Sequence, residues 1–177
     1  MNFYARFFTM VKDAESYLGY VHSIPVRAPI LRRPALTPEQ IMQFDTKIAV
    51  VIRTDLEAWQ KLNVASFLAG GIAASFPPCV GEPYQDGSGT RYLPLIGQPI
   101  LIYGADRPQL CRALERALAR NVKPAVYTED MFTTTHDAAN REVVKAVIRG
   151  ELNLVGLAMR AERKVIDKIV DGLKFHS

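Results

Sequence analysis

The residues best suited to chemistry in this 177-residue chain fall in two groups. One is Thr128-Glu-Asp-Met-Phe-Thr-Thr-Thr-His-Asp137, where carboxyl, hydroxyl and imidazole groups surround only Met131 and Phe132, with Asn140 and Arg141 close behind. The other is Arg53-Thr-Asp55 followed by Trp59, Lys61 and Asn63. An amide, a carboxylate and a hydroxyl from Asn63, Asp130 and Thr134 would make a polar pocket that orients a ligand's amine or hydroxyl groups. Asp55, Tyr84, Gln98 and Arg141 would flank it, with Tyr84 as an apolar lid. The same residues also have plain structural uses. Thr135 or Asp137 can cap a helix, and Asp137 with Arg141 can form an i,i+4 ion pair. For Asp130, Thr133 and Thr134, site and structure read equally well.

Familiar catalytic signatures are missing. No GxGxxG, Walker loop, HExxH or GxSxG occurs, and Gly87-Ser-Gly89 sits in turn chemistry, where glycine serves backbone geometry. His22, His136 and His176 are scattered, and Cys79 and Cys111 show neither metal-ligand nor disulfide spacing. No catalytic residue is assigned, and no metal or cofactor is expected. Two reduced, buried cysteines suit a cytoplasmic protein.

Positioning these groups requires a regular scaffold. Lys47-Ile-Ala-Val-Val-Ile-Arg53 is a nearly unbroken β-branched run, the pattern of a strand covered on both faces. Leu62, Ala65, Ala69, Ile72 and Ala73 then recur at helical spacing until Pro77-Pro78. Residues 80–97 read as a hairpin excursion. Further strands are expected at 99–103, 124–128 and 152–158, and helices from Asp106, over 137–149 and over 161–173. This alternation predicts a mixed, largely parallel four-stranded sheet with helices on both faces. Same-direction strands share a carboxyl edge, where open α/β sheets bind ligands, so Asn63 and the loop of Asp130 can converge there.

Before the domain, which is placed at 42–177, stands an expected N-terminal extension over 1–41. It holds Pro25, Pro29, Pro34 and Pro38, and an apolar set at Phe3, Phe7, Phe8 and Val11 that suits a short helix. The net charge is +4, with five Lys/Arg against three Asp/Glu in the first 41 residues and 17 against 15 in the rest. A nucleic-acid binder usually carries a denser basic stripe, so charge does not support tRNA as a partner. No apolar run approaches the ~20 residues that cross a bilayer, so no membrane is expected. A homodimer is compatible with the sequence.

Several short motifs resemble a known family. Lys47 to Leu56 is similar to the Lys-x-x-x-Val-Val-Arg-x-Asp-Leu opening strand of type II peptidyl-tRNA hydrolases. Leu154-Val-Gly-Leu157 with Val165 to Lys174 resembles their closing segment, and Asp130 falls at their Asp-Ala-Gly-x-Thr loop. Trp59 to Val64, Gly81 to Asp86, Gln98-Pro99, Met131 to Thr134, Asp137 to Arg141 and Leu154 to Gly156 resemble the domain of unknown function 2000 family more closely. The resemblance implies a peptidyl-tRNA hydrolase II-like fold over about 43–177. It does not carry the reaction with it. The hydrolases' catalytic lysine matches Asn63, and their helix-one glutamine and histidine match Phe67 and Gly70. A neutral amide provides no ammonium charge, and loss of such a stabiliser typically costs several kcal/mol of barrier.

The sequence therefore points to a cytosolic domain that binds, or acts on, a small polar ligand at the strand carboxyl ends. A hydrolase of a tRNA- or nucleotide-linked ester and a non-catalytic interaction module are the alternatives.

Overall fold

A computed structural model describes residues 44–176. The expected extension over 1–41, with its Phe3–Val11 face, lies outside the described residues. The chain runs through β1 (Thr46–Arg53), α1 (Ala58–Ser75), β2 (Tyr84–Gln85), β3 (Arg91–Tyr92), β4 (Ile100–Ala105) and α2 (Arg107–Leu118). It continues through β5 (Ala125–Thr128), α3 (Asp137–Lys145), β6 (Leu154–Glu162), α4 (Arg163–Ile169) and β7 (Lys174–Phe175).

Five strands form the main sheet in the order β5-β6-β1-β4-β7, not the four expected. It is mixed, as predicted, but mostly antiparallel, because β1–β4 is its single parallel pair among the described residues. The connection after β5 explains the difference. A parallel crossover needs a helix that carries the chain back along the strand. The nine-residue α3 spans only about 14 Å, whereas the nine-residue β6 spans about 30 Å. The chain stays at one edge instead, and the Glu129 N–H donates to the Asn153 carbonyl at 2.9 Å where β6 begins. β7 was not expected, since two residues after a short helix carry no periodic signal.

Reversal of β6 leaves β1, β4 and β5 running the same way, since β6 is antiparallel to both of its neighbours. Arg53, Ala105 and Thr128 accordingly end at one edge. Alternation along β1 sorts the core. Ile48, Val50 and Ile52 pack with Val64, Leu68 and Ile72 of α1, while Ala49 and Val51 pack with α2 and α4 through Leu110, Ala113, Ile166 and Ile169. Helices thus cover both faces. α2 starts where Asp106 accepts from the Gln109 N–H at 2.7 Å, the capping that Asp106 predicts.

α1 lies unusually close to the sheet at Gly156. A Cβ built there would stand 2.4 Å from Val64 Cγ1 and 2.9 Å from Leu68 Cδ1. Only glycine admits this approach, so Gly156 sets the depth at which α1 is seated.

Candidate functional site

At the carboxyl edge, Arg53 joins three segments. Its guanidinium donates to Asp55 at 2.6 Å, Glu129 at 2.9 Å and Asn153 at 3.3 Å, and the Asn153 amide donates to Glu129 at 2.8 Å. Burial pulls the Arg53 pKa down, but the hydrogen bonds to Glu129 and Asp55 outweigh it, so the pKa is raised. The hydrogen bond from Arg53 holds the Glu129 carboxyl below its ordinary value against the opposing effect of burial. A depression of about 340 Å³ lies over these residues with Asp106 and Arg107. The charges of Arg53, Asp55 and Glu129 satisfy one another, and the arrangement braces the edge.

The more open chemistry lies one step sideways. α1 is apolar on its outer face as well as its inner one, with Trp59 48%, Leu62 70% and Phe67 60% exposed. Aromatic rings link this face to β5 and the helical turn after it. Trp59 meets Phe132 at 5.6 Å, Phe132 meets Tyr127 at 5.3 Å, and Tyr127 meets Phe67 at 5.9 Å between centroids. Beside them opens a cleft of about 560 Å³. Phe67 and Leu68 of α1 form one wall and Ala125 to Tyr127 with Met131 another. Asp137, Asn140, Arg141, Val144 and Lys145 of α3 form the third. This volume suits a small molecule, and aromatic walls with a few polar groups are the usual make-up of such sites.

The expected site residues separate on inspection. Asn63 is half-buried one turn before Phe67, and its Oδ1 accepts from the Tyr127 hydroxyl at 3.1 Å. It therefore touches the cleft through Tyr127 without lining it. Asp130 is exposed, and its carbonyl accepts from Thr133 Oγ1 at 2.8 Å. Thr134 Oγ1 bonds the Met131 carbonyl at 2.9 Å and the Asn140 amide, so it secures the loop to α3. Asp55 belongs to the Arg53 brace. Arg141 lines the cleft and pairs with Asp137 in the i,i+4 manner anticipated. His136, and neither Thr135 nor Asp137, caps α3, accepting from the Ala139 N–H at 3.2 Å.

Two flanking residues lie elsewhere. Gln98 is 8% exposed and bonds Thr46, at the amino end of β1, and Arg160. It is a buried strut at the opposite edge. Tyr84 stands exposed on the β2–β3 hairpin, whose stem closes through the Val80–Ile96 bridge just before Gln98, so it is no lid. The cleft is mainly apolar, unlike the polar pocket expected from Asn63, Asp130 and Thr134. Phe67, Tyr127, Met131 and Lys145 were missed. Phe67 did carry a signal, an aromatic one turn beyond Asn63 at the hydrolases' glutamine position. Met131 and Phe132 carry a family motif and interrupt a polar loop, and neither property marks them as lining or flanking a cleft.

Among the described residues no three His, Cys, Asp or Glu side chains are grouped to hold a metal. No described helix is long and apolar enough to cross a membrane.

Sheet, helices and cleft together define a mixed α/β domain with a walled cavity beside an edge strand. The chain belongs to the family described as "Protein of unknown function (DUF2000)", which matches residues 46–177. It is similar to a solved structure titled as the protein of unknown function Atu0240 from Agrobacterium tumefaciens strain C58. The two share 47% identity with a TM-score of 0.75, over 76% of this chain and 100% of that one. No curated protein matches.

Proposed function

We propose that the chain is a small-molecule binding domain whose ligand occupies the cleft between α1, β5 and α3. The observation that carries this is Phe67, an aromatic 60% exposed to solvent yet packed on Tyr127 at the wall of a 560 Å³ cavity. Fully burying a phenylalanine stabilises by about 1.5–3 kcal/mol, and a ligand covering the exposed part of this ring would recover roughly half of that. Asn63 sits behind Tyr127 and fixes its hydroxyl, so the two act as one polar corner beside the apolar walls.

A type II peptidyl-tRNA hydrolase-like fold is part of this proposal. It is supported by the Lys47–Leu56 and Val165–Lys174 motifs, and the chemistry is expected to differ because Asn63 carries no charge. Ester hydrolysis is the less favoured alternative, since Asp130, the carboxylate expected to position water, is exposed and does not line the cleft.

A thermal-shift screen of metabolites, nucleotides and minimal aminoacyl-adenosine esters tests the proposal. A ligand at one hundred times its Kd stabilises the fold by about 2.7 kcal/mol, and Phe67→Ala should abolish that gain while Tyr84→Ala leaves it. Stabilisation that persists in Phe67→Ala would place the ligand elsewhere.

A further inference from the structure

We infer that the ligand of the cleft is an amphipathic monocarboxylate, an acid with an aryl or branched apolar body. This rests on the reading of the cleft as the ligand site and adds the chemical class. Arg141 and Lys145 both line the cleft, one helical turn apart on α3. Like charges at i,i+4 repel by a few tenths of a kcal/mol, and Asp137 compensates only the Arg141 end. Lys145 has no ion pair among the described residues. An anion lying between the two cations relieves this repulsion.

The Asp137–Arg141 pair does not block that role. Both side chains are mostly exposed, 80% and 67%, and such surface pairs contribute only about 0–1 kcal/mol. Arg141 can therefore turn its planar fork to a carboxylate, the geometry it suits best. Val144 lines the same cleft as the two cations, together with Val126 and Phe67, so an apolar body can lie against these side chains while the charged end meets the cations. A bare phosphate would leave the apolar walls of Phe67, Val126 and Val144 uncovered.

Titration of 15N-labelled protein with 4-phenylbutanoate, its primary amide and 4-phenylbutan-1-ol separates the possibilities. The acid should move the Phe67, Val126 and Val144 resonances and bind at least tenfold tighter than either neutral analogue. The double variant Arg141→Gln, Lys145→Gln, altered only at exposed positions, should lose that preference and keep the weaker neutral binding. Raising salt should weaken the acid alone. Equal affinity for all three compounds at the cleft would overturn the carboxylate class and leave the cleft as a binding site. Failure of all three to move any cleft resonance would overturn both.

Discussion

The cleft beside β5 and the β2–β3 hairpin both present aromatic and aliphatic side chains to water, by opposite means. In the cleft, Phe67 and Tyr127 rest on core-backed elements and are faced by a third wall. On the hairpin, Tyr84, Tyr92, Leu93 and Leu95 are exposed with no facing wall among the described residues, and the order comes from one turn. Asp86 accepts from the Ser88 N–H and hydroxyl and the Thr90 N–H, each at 2.9 Å, and from the Tyr92 hydroxyl at 2.8 Å. Exposure by itself does not mark a site. What distinguishes the cleft is apolar surface held in a concave frame by the same residues that build the core.

That contrast predicts that substitutions in the cleft's foundations act globally and those in the hairpin act locally. The largest effect should come from Gly156→Ala. Its Cβ overlaps Val64 and Leu68, and overpacking of this kind costs about 1–3 kcal/mol. Thermal denaturation should show a lowered Tm, and Val64→Ala in the same chain should recover part of it. An unchanged Tm would mean α1 is not held at this depth.

Next comes Arg53→Met, which strips Glu129 and Asn153 of their shared donor. Charged hydrogen bonds of this type contribute about 1.5–3 kcal/mol, and partial exposure places the loss at the lower end. Urea unfolding measures it. Tyr127→Phe removes only the hydroxyl bonded to Asn63, for about 1 kcal/mol, but ligand stabilisation should fall more than stability does. If both fall equally, the polar corner has no part in binding.

The hairpin predictions are smaller. The Tyr92 hydroxyl, then the Thr90 N–H and the Ser88 hydroxyl, hold the Asp86 carboxyl far below its ordinary value. A depressed folded pKa means the carboxylate's contribution is complete above the unfolded value near 3.9 and is lost only as pH falls through the lower folded value. The Ser88 and Thr90 amide resonances should therefore stay in place at pH 4 and shift only in strong acid. An ordinary carboxylate midpoint would show that the turn is not closed in solution. Smallest of all, Leu93→Ser and Leu95→Ser should change stability by less than about 0.5 kcal/mol.

Much of the scaffold was legible because its signals are local. The buried run Lys47 to Arg53, the Asp106 cap and the Pro77-Pro78 stop each declare themselves within a few residues. Strand direction was not legible. It depends on whether α3 returns across the sheet, which is a matter of length and packing that alternation cannot reveal. The site was legible in part for the same reason. Asn63 and Arg141 stand at or beside the cleft, since helical spacing fixes which residues share a face. Gln98 reads as a ligand residue in the sequence because a polar residue in a strand-flanking segment has the same appearance whether it faces solvent or bonds a half-buried Thr46. Polarity was also weighted too heavily. The cleft is lined by Phe67, Tyr127 and Met131, of which Phe67 and Met131 are left incompletely buried, a property no residue type announces.

β5 is one of the two outer strands of the sheet, and it lines the cleft with α3 as another wall. An outer strand offers its unpaired amides and carbonyls to any neighbouring chain. α3 therefore acts as a guard rail as well as a wall, held by the Thr134–Asn140 contact and an apolar margin of Val144 and Val147. A chain in which α3 has come loose would present Ala125 to Thr128 for edge-to-edge pairing. On this arrangement a molecule held in the cleft would also hold α3 against the edge and so oppose such pairing.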